Sequence, residues 1–130
     1  MQALQILEQL ARRSFAGDIH FGELVPALAE LGVSAYLADY RTHTCTYYLA
    51  GDAAHAVAMP VSTVPIADAF DAEGVAQAVR GAQRGELQFP RFKALTREAG
   101  CVGYFVWIDG RQVQYLGRRG EVHVERFPER

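Results

Sequence analysis

Shifted against itself by 68 residues without a gap, the chain matches its own second half. Residues 1–62 fall on residues 69–130. Gln9 meets Gln77, Arg12 meets Arg80, Gly17 meets Gly85, Phe21 meets Phe89 and Glu30 meets Glu98. Gly32 meets Gly100, Tyr36 meets Tyr104, Tyr47 meets Tyr115, His55 meets His123 and Pro60 meets Pro128. These ten identities include no alanine and are roughly twice what composition alone yields. A fixed-offset match predicts two copies of one unit, about 1–62 and 69–130, related by an approximate two-fold axis. Each half is too short to bury an adequate core alone, so the copies are expected to share one core in a single domain, 1–130. The match specifies architecture and no reaction.

Apolar spacing supplies the elements. Leu4, Leu7, Leu10, Ala11 and Phe15 form a helical stripe over 2–15. Phe21, Leu24, Val25, Leu28 and Leu31 form a second over 21–31, with Gly32 as its stop. Short strands follow over 34–40 and 44–49, with a weaker one over 55–60. After a linker at 61–69 the cycle repeats. Asp71 caps a helix over 72–83, Pro90 opens one over 90–99, and Gly100 stops it. Strands are expected over 101–108, 111–116 and 121–127, the first two joined by a two-residue Asp109-Gly110 turn. The fold class is α+β: an (α-α-β-β-β)×2 duplication with four helices packed on a largely antiparallel sheet of pseudo-two-fold symmetry. Whether the halves pair edge to edge or face each other is left open.

The strand over 101–108 presents Cys101, Gly103, Phe105 and Trp107 on one face and Val102, Tyr104, Val106 and Ile108 on the other. A sheet with one wet face alternates apolar and polar residues. Here both faces are apolar, so the second needs a cover: the other half of the chain, a second subunit in a homodimer, or a small-molecule ligand. A net charge of −2 argues against a nucleic-acid partner. The arginines near the C-terminus are interleaved with Glu121, Glu125 and Glu129, which gives a mixed, solvated surface. No run approaches the ~20 apolar residues of a membrane span. Cys45 and Cys101 are too few for a disulfide scaffold. The expectation is a reduced cytoplasmic protein.

The run AGCVGYFVWIDGRQVQYLGRRGEVHVERFP, residues 99–128, resembles the YbcV-like family of uncharacterised bacterial proteins, some of which carry the label "phage envelope protein". The resemblance extends to LGVSAYLAD at 31–39, to Tyr47-Tyr48 and to FDAEGVAQAVRGAQRGE at 70–86. It brings no activity, cofactor or site residue with it. The label implies a phage-derived accessory protein.

Chemistry concentrates in the last hairpin. Alternation puts Glu121, His123 and Glu125 on one strand face and Arg111, Val113 and Tyr115 on one face of the strand before. If register joins these faces, His123, Glu125, Arg111 and Tyr115 cluster. A histidine beside a carboxylate can act as a general base, and an arginine can hold an anion. The plain alternative is cross-strand pairing for stability. Because His55 and Tyr47 repeat His123 and Tyr115 while Arg111 and Glu125 do not recur, the repeated pair reads as structural. Tyr36, Tyr104 and Trp107, with Tyr40, Phe105 and Tyr115, are candidates for the lining of a small-molecule pocket. Cys101 paired with His123 is a weaker nucleophile candidate. Neither a metal site nor a cofactor is expected, since His123-x-Glu125 alone is too few ligands for zinc. The leading expectation is a non-catalytic binding or interaction module that uses an apolar sheet face. The alternative is a small hydrolase- or isomerase-like enzyme with His123 as base.

Overall fold

The computed structural model describes residues 2–128. In chain order it runs α1 (Gln2–Ala16), α2 (Phe21–Glu30), β1 (Ala35–Asp39), β2 (Thr44–Tyr48) and β3 (Ala54–Ala58). Then come α3 (Ala72–Gln83), α4 (Phe89–Glu98), β4 (Cys101–Trp107), β5 (Gln112–Gly117) and β6 (Val122–Arg126). Four helices accompany a six-stranded sheet of order β3-β2-β1-β4-β5-β6, antiparallel at every seam, so the fold is α+β. No helix among the described residues is long and apolar enough to cross a membrane.

The helices form where the apolar stripes lie. Leu7, Leu10, Ala11 and Phe15 are buried on α1, and Val75, Ala78 and Val79 on α3. Asp71 caps α3 by accepting from the Gly74 amide at 3.0 Å, which satisfies an amide the helix itself leaves free. The halves meet edge to edge. At that seam β1 and β4 pair with Ala35 opposite Trp107, Leu37 opposite Phe105 and Asp39 opposite Gly103.

One sheet face packs on the helices. Tyr36, Ala38, Cys45, Tyr47, Tyr104, Val106, Val113 and Tyr115 point there and join apolar residues of all four helices in one buried cluster. The other half of the chain does not cover the second face, because edge-to-edge pairing places both halves in one layer. Phe105 and Trp107 stay on that open side, Trp107 being 38% exposed.

Three local expectations are corrected. A bulge between Cys101 and Gly103 breaks the alternation of β4, so that Cys101 pairs with Gly117 and is fully buried rather than sharing the face of Trp107. Asp109-Gly110 is not a two-residue turn: β4 and β5 are joined by residues 108–111, closed by the Arg111 amide on the Ile108 carbonyl at 3.2 Å. Arg111 itself takes φ 56°, which removes it from the strand. The linker is ordered. The buried Lys93 Nζ donates to the Pro60 carbonyl at 2.6 Å, and Arg97 Nε donates to that of Val64 at 2.7 Å.

Gly100 joins α4 to β4 at φ 88° with its Cα against the carbonyl oxygen of Ala69. A side chain there meets both a disfavoured backbone region and the linker. Gly100→Ala is therefore expected to lower the unfolding free energy by at least ~1 kcal/mol in urea titration. Unchanged stability would contradict this packing.

Candidate functional site

Four tyrosines cross the middle of the helix-facing side. Tyr47 lies opposite Tyr36, with ring centroids 5.2 Å apart, and Tyr104 lies opposite Tyr115 at 5.5 Å. Burial raises the hydroxyl pKa of Tyr36, Tyr104 and Tyr115 well above the ordinary tyrosine range, so all three remain protonated at neutral pH. They can donate hydrogen bonds and are not poised as phenolate bases. A histidine flanks the band on each edge strand, His55 opposite Tyr47 and His123 opposite Tyr115.

Each histidine meets a glutamate held by an arginine. His123 Nε2 lies 2.6 Å from Glu125 Oε2, and Arg80 Nη1 of α3 donates to Glu125 Oε1 at 3.0 Å. On the opposite edge His55 Nε2 lies 2.8 Å from Glu8 Oε2, and Arg12 pairs with Glu8 Oε1 at 3.6 Å. Desolvation raises the Glu125 carboxyl, but the hydrogen bonds and charges of His123 and Arg80 together outweigh it and hold the group below the ordinary glutamate range. Arg80 was missed in the sequence. Its signal was present in the Arg12–Arg80 identity, but helix spacing alone does not say which strand residue an arginine reaches.

Above the second-half strands lies a cavity of about 510 Å³. Its floor is Tyr36, Tyr104, Val113, Tyr115 and Glu125. Its walls come from the start of α2, the end of α3 and the turn into α4, with Phe21, Leu24, Val79, Leu87, Phe89 and Phe92 supplying apolar surface. Gly85 shapes the turn at φ 75°.

The expected residues divide as follows. His123, Glu125 and Tyr115 do come together, and Glu125 and Tyr115 also border the cavity. Arg111 does not join them. Its left-handed backbone points it elsewhere, where its guanidinium sits 5.4 Å from the Phe127 ring centroid and donates to the Pro128 carbonyl at 2.9 Å. Tyr36 and Tyr104 border the cavity. Trp107 does not, because strand alternation puts it with Phe105 through the sheet on the open face. Tyr40 is committed to Thr96 Oγ1 at 2.7 Å. Cys101 is no reactive thiol, since burial pushes its pKa up to about 12. Among the described residues no group of three His, Cys, Asp or Glu side chains is placed to hold a metal ion.

A family described as protein of unknown function (DUF1398) matches residues 21–126. The chain belongs to that DUF1398 family. No curated protein matches it. The DUF1398 match begins at the first residue of α2 and ends at the last of β6. It takes in the Arg80–Glu125–His123 trio and the cavity floor, and leaves Glu8 and Arg12 of α1 outside.

The Glu125 geometry sets a pH dependence. A carboxyl held low in the folded state stabilises it fully above the unfolded value near ~4.3, and that contribution is lost as pH falls through the folded value. The stability gap between wild type and Glu125→Gln is expected to be widest at neutral pH and to close as the solution is acidified below that value. Thermal melts across this range test it, and a gap independent of pH would contradict the role assigned to the ion pair.

Proposed function

We propose that this DUF1398 domain is a non-catalytic binding module that takes a small, largely apolar molecule into the cavity between its helices and its sheet. The observation that carries the reading is the cavity itself. At about 510 Å³ it lies within the ~300–1,000 Å³ span of ligand pockets. Its lining is apolar and aromatic with a few polar groups, as such pockets usually are.

The duplication read in the sequence accounts for where the cavity lies, and we propose it as the basis of the fold. Support comes from backbone geometry. Positive φ occurs at Gly17, Gly32, His43 and Asp52, and again 68 residues on at Gly85, Gly100, Arg111 and Gly120. Leu37 and Phe105, opposite each other at the central seam, are also 68 apart, as a two-fold axis between them requires. On this reading Phe15 corresponds to Gln83. Phe15 is buried and packs on Phe89 at 5.8 Å, whereas Gln83 borders the cavity. A phenylalanine filling space in one half and a glutamine in the other leaves room on one side only.

A catalytic use of His123 draws less support. A His–Glu–Arg trio also occurs at His55, Glu8 and Arg12, with its glutamate on the helix rather than on the strand, and none of those residues borders the cavity. An arrangement present on both sheet edges, with a cavity beside only one, reads as a clamp between edge strand and helix. The narrower likeness to the YbcV-like group rests on residues 99–128 together with 31–39, Tyr47-Tyr48 and 70–86, and nothing in the site favours a virion role.

The open sheet face supports a second proposal, contact with a second copy of this chain. Phe105 stacks on Trp107 at 4.1 Å and Tyr48 on Phe105 at 5.8 Å. The register lays out three rows of six residues on this face, of which Asp39 and Arg126 alone are charged. Six strands ~4.8 Å apart and five residues long give a flat projection of roughly 500 Å² before side-chain relief is added. That is the order of the ~800 Å² per partner in a standard interface.

Native mass spectrometry of the protein as purified is expected to show a small non-covalent excess mass that disappears on denaturation. Ala82→Phe, which fills the cavity from α3, is expected to lose that excess while keeping the wild-type circular dichroism spectrum. Wild type with no excess mass would argue against a retained ligand, and an equal excess in the variant would move the ligand elsewhere. Sedimentation velocity addresses the open face: a dimer is expected for wild type and a monomer for Trp107→Glu with Val124→Glu. A wild-type monomer at every accessible concentration removes the self-association reading.

A further inference from the structure

We infer that the molecule taken into the cavity is uncharged and carries a hydrogen-bonding oxygen, a phenol or ketone on an aromatic or alicyclic body, held by the hydroxyls of Tyr36, Tyr104 and Tyr115. This rests on the reading of the cavity as a binding site and names what that site selects.

The polar side of the argument comes from unmet hydrogen bonds. Tyr36, Tyr104 and Tyr115 are 3%, 7% and 5% exposed, so each is more than nine-tenths buried. Tyr40 next to them has its Thr96 partner, but the three cavity tyrosines have no hydrogen-bonded partner among the described residues. Among the described residues the one enclosed side-chain polar atom without a partner is His43 Nδ1. The three tyrosine hydroxyls therefore reach open space, and the open space these residues border is the cavity. A hydroxyl that opens into the cavity without a protein partner is free to bond what enters it, and a ligand oxygen set among the three takes up the hydrogen bonds that water otherwise makes. Because burial keeps the hydroxyls protonated, they offer donors first, which suits a carbonyl or phenol oxygen as acceptor.

The electrostatic side excludes ions. Glu125 is the charged side chain on the cavity floor, and its two oxygens are already taken by Arg80 and His123. Arg84 at the wall is paired with Glu86 at 3.0 Å. Arg126 follows Glu125 on β6, so alternation turns its side chain to the open face. His20 stands exposed at the rim. An anion or a cation entering the cavity would give up its hydration and find no unpaired counter-charge on the floor among the described residues. A neutral ring system instead meets Phe21, Phe89, Phe92 and Phe127.

Four probes of one shape separate these terms: naphthalene, 1-naphthol, 1-naphthoate and 1-naphthylmethylammonium, titrated at neutral pH by protein-observed NMR. 1-Naphthol is expected to bind about five-fold more tightly than naphthalene, the worth of one neutral hydrogen bond, with both ions weaker than naphthalene. Tyr104→Phe is expected to reduce the 1-naphthol affinity about five-fold and leave that of naphthalene unchanged, and Tyr115→Phe repeats the test if the first variant does not fold. Equal binding of naphthalene and 1-naphthol overturns the inferred class while leaving the cavity as a site. So does either ion binding most tightly. Failure of all four probes, together with no excess mass on the purified protein, overturns the binding reading itself.

Discussion

The hydrogen-bonded seam between β1 and β4 is the constraint on which the rest of the structure depends. Pairing Leu37 with Phe105 turns two three-stranded pieces into one six-stranded sheet. It brings Tyr36 and Tyr104 onto adjacent strands and sets both helix pairs on the same side. The halves share one buried cluster, which draws on all four helices and on strands from each side. The same seam leaves a face uncovered, because two halves joined at their edges cannot also stack on each other.

Edge strands are held by hydrogen bonds on one side only, and here each gains a second attachment through its side chains. His55 ties β3 to Glu8 of α1, and Glu125 ties β6 to Arg80 of α3. These contacts are partly exposed and contribute modestly one by one. Phe15 of α1 is buried against Phe89, whereas Gln83 of α3 borders the cavity.

Much of this was legible in the residues. The stripes Leu7–Leu10–Ala11 and Val75–Ala78–Val79, the Asp71 cap and the Gly32 and Gly100 stops all appear where spacing put them. The doubly apolar pattern of β4 matches an open face that carries Phe105 and Trp107. Tyr36, Tyr104, Tyr115 and Glu125, which strand alternation and aromatic content single out in the sequence, border the cavity. Arg111 falls outside the strand that alternation assigns it to, because it takes a left-handed turn conformation just before β5 begins. Trp107 was grouped with the tyrosines because a list of aromatic residues does not distinguish the two sides of a sheet.

The sequence by itself determined element type, order and approximate ends, since these follow from apolar spacing, caps and turn residues within a few positions of one another. It also determined the recurrence of a histidine at corresponding places in each half. Only the tertiary structure decided that the halves meet edge to edge, that Arg80 rather than Arg111 completes the His123–Glu125 contact, and that the open space lies above β4 and β5. Those outcomes depend on strand register and on which side of the sheet the helices take. Both are set by contacts between residues far apart in the chain, and no local pattern encodes them.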